Sequence, residues 1–424
     1  MKSLVIERNV ARFAAARVMA AVAPGRSAGI GPLRLAEQDP PAAPAADWYP
    51  VLPSLSGICG SDLATLDGRS SRYFEDLVSF PFVPGHEIVG VAAQGAVGAG
   101  GAEIAAGARV VIEPVLGCAA RGIEPPCRAC ATGNTGDCTR VAHGHVRPGL
   151  QTGFCTDTGG GWSEAGLVAH SSQLHPVPAG LSDEDAVTVE PVACATHAVH
   201  MAALRAGEVV AVLGAGTLGL ALTAALTHLV EVGRCAEPEV VLVGARYPHQ
   251  QRWALEFGAT SALPADALAR AVRRRSRSLA LGSPRLGTQQ LTGGADVVFD
   301  CVGSSESIAQ SLSMVRPRGR IVLVGMPGRV HVDLAALWHR EISLAGAYAY
   351  GTEGGAGGGA PARTFDLAFD VVARHRTGRL VSATYPLERF EEAITHAGQA
   401  GRRGSVKIAF APHAERSASK GPRR

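Results

Sequence analysis

A glycine-rich turn between an apolar strand and an apolar helix places the strongest constraint on the fold of this 424-residue chain. The turn, Gly214-Ala215-Gly216-Thr217-Leu218-Gly219, follows the strand-like run Val209–Leu213 and opens the helix-like run Leu218–Val230. The first glycine permits a tight turn, the second lets a pyrophosphate approach the backbone, and the third allows close helix packing. Strands and helices continue to alternate downstream, which predicts a doubly wound parallel sheet that binds a dinucleotide.

The end of the second strand bears on which dinucleotide is bound. An NAD site usually carries an acidic residue there, and its carboxylate holds the ribose hydroxyls. Here Val241-Leu242-Val243 leads into Gly244-Ala245-Arg246-Tyr247, with Ala245 at the expected acidic position. A guanidinium suits a 2′-phosphate, so Arg246 favours NADP over NAD. The alternative is that Arg246 is simply exposed and that both cofactors bind.

Two short motifs upstream carry the side chains of a zinc site. The first is Gly57-Ile58-Cys59-Gly60-Ser61-Asp62 and the second is Pro84-Gly85-His86-Glu87. A catalytic zinc in a protein keeps three side-chain ligands and one open position. Cys59 and His86 are the expected thiolate and imidazole ligands, and Asp62 is the expected acceptor that orients the imidazole ring.

The third ligand of this zinc is expected to be a carboxylate, for which the sequence offers two candidates. Glu87 directly follows His86, and Glu190 lies in Val189-Glu190-Pro191, just before the chain enters the dinucleotide domain. Either glutamate binds the metal, or the two exchange as the coordination changes. The alternative for Glu190 is a carboxylate that stabilises a helix N-terminus through the helix dipole.

Four of the nine cysteines lie close together in the sequence, at Cys118, Cys127, Cys130 and Cys138. Structural zinc takes four thiolates in a tetrahedron, and a polar, loop-like segment gains order from such a metal. We therefore predict a second zinc ion at this cluster. Cys118 is the outlying ligand because a long gap separates it from Cys127. The alternative is a set of buried or free thiols.

Composition excludes several other classes of protein. The hydrophobic fraction of 46% and the charged fraction of 18% are typical of a globular chain. A net charge of +3 does not argue for nucleic acid. The stretch Arg273-Arg274-Arg275-Ser276-Arg277 lacks interleaved aromatic residues, so a solvated helix face is favoured over a nucleic-acid patch. No apolar run is long enough to span a bilayer. We expect a cytoplasmic protein with a small-molecule substrate and neither nucleic-acid nor membrane partners.

The rest of the chain is predicted to form a second, β-rich domain. Residues 1–50 are expected to form strands and turns, and residues 51–180 short strands with long functional loops. A glycine-rich loop is predicted at Gly351–Gly359. The chain is then expected to return to this β-rich domain, because Val406–Phe410 is typical of a strand. Glu415–Arg424 is expected to be a frayed tail.

Together these motifs resemble those of the zinc-dependent medium-chain dehydrogenases, particularly the branch of sorbitol, threonine and glucose dehydrogenases. The resemblance covers nearly the whole chain, because both zinc motifs, the cysteine cluster, the Glu190 motif and the glycine turn occur in the family's order. It implies an α/β protein with a GroES-like β-rich catalytic domain and a Rossmann domain. The expected bounds are 1–195 with 350–424 for the catalytic domain, which holds both zinc sites, and 196–349 for the Rossmann domain.

The resemblance also implies roles for individual residues. Glu87 and Glu190 match carboxylates that bind or neighbour the catalytic zinc. Glu190 stands where conventional alcohol dehydrogenases have a third cysteine, which favours the polyol branch. Ser61 matches the hydroxyl that contacts the substrate oxygen. Ala64 stands where many members carry a histidine at the outer end of a proton relay, so the proton is expected to leave by another route.

The resemblance therefore implies zinc-dependent hydride transfer between a secondary alcohol or polyol, or the matching carbonyl compound, and NADP or NAD. Relatives in this branch are dimers or tetramers, so a homodimer or homotetramer is expected. Two alternatives are a non-catalytic NADP-binding protein of the same fold and a reductase of activated alkenes. Relatives of the last kind generally lack both zinc ions, so about two zinc ions per chain would favour the dehydrogenase.

Overall fold

The computed structural model describes residues 1–22, 27–282, 289–354 and 360–413 and divides the chain into two compact units. Unit 1 comprises Met1–Glu190 and the described part of Gly378–Arg424, and unit 2 comprises Pro191–Thr377. Two predicted segments lie outside the described residues: the tail wholly and the glycine-rich loop in part.

Unit 1 contains a seven-stranded sheet in the order β20-β21-β3-β4-β7-β9, with β8 also paired to β3. Its neighbours are antiparallel except for the pair β20 and β21. The strands of unit 1 are β1 Lys2–Ile6, β2 Leu33–Glu37, β3 Trp48–Gly57, β4 Ile88–Ala92, β5 Ala96–Val97, β6 Glu103–Ile104, β7 Arg109–Ile112, β8 Leu167–His170, β9 Leu174–Pro176, β20 Val381–Tyr385 and β21 Lys407–Phe410.

Branched side chains explain why the central strands of unit 1 form and where its core lies. Val and Ile favour a pleated, buried surface, and β4 and β7 consist largely of them. Ile88, Val110 and Ile112 are fully buried in one cluster beside Val51 of β3. This sheet holds both zinc motifs of the sequence, because β3 ends at the first motif and β4 begins directly after the second.

The helices of unit 1 are short apart from the first, and one helix joins the two units. They are α1 Val10–Val22, α2 Gly60–Leu66, α3 Arg128–Ala131, α4 Asp183–Ala186 and α12 Phe390–Gly398, while α5 Val189–Ala202 carries the chain into unit 2. Helix α1 corrects the expectation of strands and turns over residues 1–50. Asn9 caps it, because its Oδ1 accepts a hydrogen bond from the backbone N–H of Arg12 at 3.1 Å.

Unit 2 confirms the predicted doubly wound parallel sheet. Its six strands run in the order β12-β11-β10-β15-β16-β17, and every neighbouring pair is parallel. Counted along the chain this order is 3-2-1-4-5-6, the Rossmann arrangement. The strands of unit 2 are β10 Val209–Leu213, β11 Val240–Ala245, β12 Ser261–Pro264, β13 Ala280–Leu281, β14 Gln290–Leu291, β15 Ala295–Asp300, β16 Val315–Leu323, β17 Ser343–Gly346, β18 Thr352–Glu353 and β19 Ala362–Arg363.

The helices of unit 2 explain why the chain returns to unit 1 later than expected. They are α6 Thr217–Glu231, α7 Pro248–Glu256, α8 Leu268–Arg275, α9 Ser305–Met314, α10 Ala335–His339 and α11 Thr364–His375. Residues 350–377, assigned above to the catalytic domain, belong to unit 2. The reason is that α11 packs against α6 and buries an apolar face that includes Phe365, Leu367 and Val371.

Two surface features of the described residues bear on possible partners. Helix α8 buries Leu268 and Val272, while Arg274 and Arg277 at its end are exposed and Arg275 forms an ion pair with Glu239. The arginine-rich segment is thus one face of an amphipathic helix as far as the structure describes it. Among the described helices, none combines the length and the apolar character that crossing a bilayer requires.

Candidate active site

The two zinc motifs meet at the end of the β3–β4 pair in unit 1. Strands β3 and β4 are antiparallel, and the backbone N–H of Gly57 donates to the carbonyl of Glu87 at 2.9 Å. This pairing brings Cys59, which follows β3, next to His86 and Glu87, which precede β4. Each of the three presents one donor atom, and the three atoms lie within 4.8 Å of one another. His86 and Glu87 are buried, while Cys59 is half-buried.

Asp62 ties the two motifs together. One carboxylate oxygen accepts a hydrogen bond from the backbone N–H of Cys59 at 2.9 Å, and the other lies 3.4 Å from Nδ1 of His86. Burial lowers the pKa of His86, but the adjacent Asp62 carboxylate outweighs this and raises the pKa well above its usual value. Because Nδ1 of His86 faces Asp62, Nε2 is the ring nitrogen left to bind a metal. The imidazole is therefore oriented as a metal ligand requires.

Lys407 is a site residue that sequence reasoning missed. It lies on β21, far along the chain, yet its ammonium group forms an ion pair with Oε2 of Glu87. Both side chains are only 1% exposed, so this is a buried pair. Burial lowers the pKa of Lys407, but the Glu87 carboxylate more than offsets this and the net pKa is raised. Nothing in the local sequence around Lys407 signals this contact.

Glu190 stands outside the three-donor set that contains Glu87. It is the second residue of α5, where it is 5% exposed, and an acidic residue in this turn also suits the helix dipole. Ser61 is half-buried in the first turn of α2, two residues after Cys59, and Ala64 is buried in the same helix. Within 4.8 Å, the structure groups Glu87 with the cysteine and the histidine.

Trp162 packs against residues of both zinc motifs. Its side chain is fully buried, and its indole N–H donates to the carbonyl of Gly57 at 3.3 Å. Gly85 has a φ of +97°, and a Cβ there would lie 2.4 Å from the indole ring. Only glycine fits at this position, which explains the Gly85-His86 pair physically. Phe154 packs on the His86 ring with centroids 5.5 Å apart.

The four clustered cysteines form a second donor set in unit 1. All four sulfur atoms lie within 4.8 Å of one another, including Cys118, the ligand separated by the longest gap. Sγ of Cys138 is 3.7 Å from that of Cys118 and 4.0 Å from that of Cys127. Disulfide sulfurs lie about 2 Å apart, whereas zinc–sulfur bonds of about 2.3 Å in a tetrahedron separate sulfurs by about 3.8 Å. The spacing therefore fits a four-thiolate zinc site.

Backbone N–H groups stabilise negative charge on the cysteine sulfurs of this cluster. The N–H groups of Cys118, Cys127 and Arg140 each point to a cysteine sulfur at 3.3 to 3.4 Å. Burial raises the pKa of Cys127, but backbone N–H groups more than offset it and lower the pKa to about 6. Burial raises the pKa of both Cys130 and Cys138. Four thiolates cannot share this space without a cation, which is what a metal would supply.

Arg121 organises the long gap between the first two cysteines. Its side chain is fully buried and donates to backbone carbonyls just before the cluster and in the loop that follows it. The acceptors are Leu116, His143, Val146, Arg147 and Gly149. Burial lowers the pKa of this guanidinium. The residues between Cys118 and Cys127 are thus held by the hydrogen bonds of Arg121 as well as by the cysteines.

The glycine turn of unit 2 has the geometry of a phosphate-binding loop. Gly214 has a φ of +96°, and a Cβ at Gly219 would lie 1.8 Å from the carbonyl oxygen of Gly214. At Gly216 a Cβ would meet nothing within 4 Å, so the space beside this backbone is open. Gly216 directly precedes α6 and provides no side-chain cap, which leaves the first N–H groups of the helix, those of Thr217 and Leu218, for an anion.

Arg246 lies directly after β11, at the carboxyl end of the parallel sheet. Its side chain is exposed, and no ion pair found among the described residues involves it. Ala245 before it is fully buried, so no carboxylate occupies the position expected for a ribose-binding acid. The end of β11 thus offers a cation where an NAD site offers an anion.

Comparison with known proteins gives two family matches that follow the division into units. The alcohol dehydrogenase GroES-like domain matches residues 46–179, and the zinc-binding dehydrogenase domain matches residues 228–356. The chain is 29% identical over 320 residues to 2-dehydro-3-deoxy-L-galactonate 5-dehydrogenase from Pseudoalteromonas atlantica, which covers 75% of this chain and 77% of the relative. It is 26% identical to sorbitol dehydrogenase from Bacillus subtilis, with 81% and 84% covered.

A solved structure shares the fold across both units. A protein from Sinorhizobium meliloti 1021, solved with bound NADP, superposes with a TM-score of 0.63 at 25% identity. The match covers 90% of this chain and 95% of that one.

Proposed function

The chain belongs to the zinc-dependent medium-chain dehydrogenases, and we propose that it oxidises a secondary hydroxyl group of a polyol, or reduces the matching carbonyl compound, with NADP. The observation that carries this proposal is the set formed by Cys59, His86 and Glu87, whose donor atoms lie within 4.8 Å of one another. Thiolate, imidazole and carboxylate are all ligands of catalytic zinc, and three of them leave the open position that a substrate needs.

Each site residue of unit 1 has a distinct role in this proposal. Cys59, His86 and Glu87 hold a zinc ion, which when bound polarises a substrate oxygen and lowers its pKa. Asp62 orients the imidazole of His86 through the 3.4 Å contact with Nδ1. Ser61, in the first turn of α2, accepts the substrate proton on Oγ. Its route onward is through water, because the buried Ala64 has no group that carries a proton.

The residues of unit 2 favour NADP as the cofactor. The open space at Gly216 and the uncapped start of α6 suit a pyrophosphate, and the guanidinium of Arg246 suits a 2′-phosphate. NADP held by these residues would supply the hydride chemistry of the reaction. The NADP-bound relative from Sinorhizobium meliloti supports this choice.

We also propose a second, structural zinc at the four cysteines, which gives two zinc ions per chain. The sulfur–sulfur distances of 3.7 and 4.0 Å support it. The relatives support the substrate class, because one is a sorbitol dehydrogenase and another oxidises a hydroxyl of a sugar acid, as their names state. Two complete donor sets disfavour both the non-catalytic alternative and the alkene reductase.

A homodimer is the assembly we propose. Strand β17 is at the edge of the six-stranded sheet, and among the described strands only β16 pairs with it. Leu344 on β17 is 38% exposed and Trp338 on α10 is 81% exposed. A strand edge is complemented by the same edge of a second copy across a two-fold axis. Sedimentation of Leu344→Lys should show monomers, while Leu255→Lys, an exposed leucine on α7, should leave the dimer intact. A monomeric wild-type protein would refute this assembly.

The central experiment is a panel of polyols and sugar acids with NADP and NAD side by side, followed by absorbance of the reduced nicotinamide. We expect polyol-dependent reduction of NADP in protein with a full complement of zinc. Cys59→Ser should lose turnover while it still binds NADPH, measured by cofactor fluorescence. Full activity of Cys59→Ser would refute the zinc site. Zinc-loaded protein that turns over none of these alcohols would refute the substrate class.

A further inference from the structure

The buried ion pair between Lys407 and Glu87 occupies one of the two oxygens that Glu87 has to offer. Lys407 Nζ pairs with Oε2 of Glu87 and also donates to the carbonyl of Ile58 at 3.2 Å. Ile58 is the residue before Cys59, so the ammonium group sits against the backbone of the first zinc motif. The ammonium group is too deeply buried to form hydrogen bonds with bulk water, so it stays on these two acceptors.

The backbone around Lys407 fixes where its ammonium group lies. Strand β21 pairs with the end of β3, and the N–H of Ile58 donates to the carbonyl of Ile408 at 2.9 Å. Across this pairing, Gly57 provides the room for both charged groups, because a Cβ there would lie 1.8 Å from Oε2 of Glu87 and 2.7 Å from Cε of Lys407. The carboxylate and the ammonium are therefore held by paired strands and not by a mobile loop.

From this geometry we propose that Lys407 is a positioning residue that reserves Oε2 of Glu87, so that Glu87 offers only Oε1 to the catalytic metal. The inference rests on the proposed zinc site of Cys59, His86 and Glu87. A carboxylate that binds through both oxygens takes up an additional coordination position, whereas catalysis requires one to stay open. Lys407 thus protects the position that the substrate oxygen needs, from a strand that contributes no ligand itself.

Removal of the ammonium group should turn Oε2 of Glu87 towards the metal. In Lys407→Met the buried Oε2 loses its cation, and an unpartnered carboxylate oxygen at 1% exposure is unfavourable. The metal is then the nearest remaining cation, so Oε2 turns to it and the coordination number rises. The metal becomes harder to release and the substrate position is lost.

Cobalt spectroscopy tests this directly, because four-coordinate Co²⁺ absorbs visible light more strongly than five-coordinate Co²⁺. The signal of the catalytic site is obtained by subtraction of the spectrum of Co²⁺-loaded His86→Ala, in which the cysteine cluster still binds cobalt. We expect the visible bands of the catalytic site to lose intensity in Lys407→Met, and its metal to leave more slowly to a chelator. In a Glu87→Gln background the same Lys407 substitution should produce no further change.

Two results would overturn the proposal. One is a folded Lys407→Met protein with the wild-type cobalt spectrum, and the other is an equal spectral change with and without Glu87. If Lys407→Met does not fold, infrared difference spectra of the wild-type protein with and without zinc decide the matter. The bands of Glu87 are those that disappear in Glu87→Gln. Their antisymmetric and symmetric carboxylate stretches should be widely separated, as is typical of binding through one oxygen. A narrow splitting, or zinc-sensitive bands that do not include Glu87, would contradict it.

The same measurements separate this inference from the proposed function. If the wild-type protein takes up no metal at Cys59 and His86, the dehydrogenase proposal itself fails. If it takes up zinc and oxidises polyols but Glu87 binds through both oxygens, only the role of Lys407 is refuted.

Discussion

Substitution of Gly57 by alanine is the smallest change that should dismantle the proposed catalytic metal site. Gly57 lies opposite Glu87 in the β3–β4 pair, and a Cβ there would be 1.8 Å from Oε2 of Glu87. Real Cβ contacts shorter than 3.0 Å essentially do not occur, so the carboxylate must move by about 1.2 Å. Lys407, whose Cε would be 2.7 Å from the same Cβ, blocks one direction of escape. Overpacking of this kind costs about 1–3 kcal/mol of folding free energy.

The effect on the site should be larger than the effect on the fold. A misplacement of about 1 Å at a catalytic constellation lowers the rate by about 100-fold, so kcat/KM of Gly57→Ala should fall by about that factor. Zinc content, measured by atomic emission, should fall towards one ion per chain while the cysteine cluster stays loaded. Gly60→Ala is the matched control, because a Cβ at Gly60 meets nothing within 4 Å, and it should keep its zinc. Wild-type zinc content and kcat/KM in Gly57→Ala would refute the reasoning.

Three further substitutions test other parts of the molecule. Arg121→Met leaves several buried carbonyls without their donor, so the free energy of unfolding should fall by about 3 kcal/mol or more in urea titrations; a wild-type midpoint would contradict this. Cys130→Ser should lower the zinc content by about one ion per chain and also lower Tm, and unchanged zinc would exclude the four-thiolate site. Arg246→Ala should raise KM for NADP by about 10-fold or more with little change for NAD. If both values of KM change equally, Arg246 does not select the 2′-phosphate.

Elements whose formation depends on local sequence could be predicted closely. Val209–Leu213 was expected as a strand and is β10, and the helix expected over Leu218–Val230 is α6 at Thr217–Glu231. Parallel strands buried on both faces are continuous apolar runs, so they are visible without tertiary information. Helix α1 was not predicted, although Asn9 ahead of an alanine-rich run is an N-cap signal. The small, largely non-polar residues of α1 show no clear apolar stripe.

The domain boundary was less predictable than the elements themselves. Helix α11, Thr364–His375, lies in the segment 350–424 that was expected to belong to the catalytic domain, whereas the compact units place it in unit 2. Its amphipathic pattern states that one face is buried but not against which partner. Only the packing of α11 on α6 places it in unit 2.

By itself the sequence determined the chemistry of the donors: thiolate and imidazole at Cys59 and His86, four clustered thiols, and a phosphate loop that begins at Gly214. These depend on residue types at short spacings, which folding does not alter. Only the tertiary structure shows that Glu87 lies within 4.8 Å of the donor atoms of Cys59 and His86, and what holds it there. Glu87 and Glu190 are equivalent in kind, and Lys407 is 320 residues from its partner. Strand pairing between β21 and β3 brings Lys407 to Glu87 across that separation, and no local pattern records such a pairing.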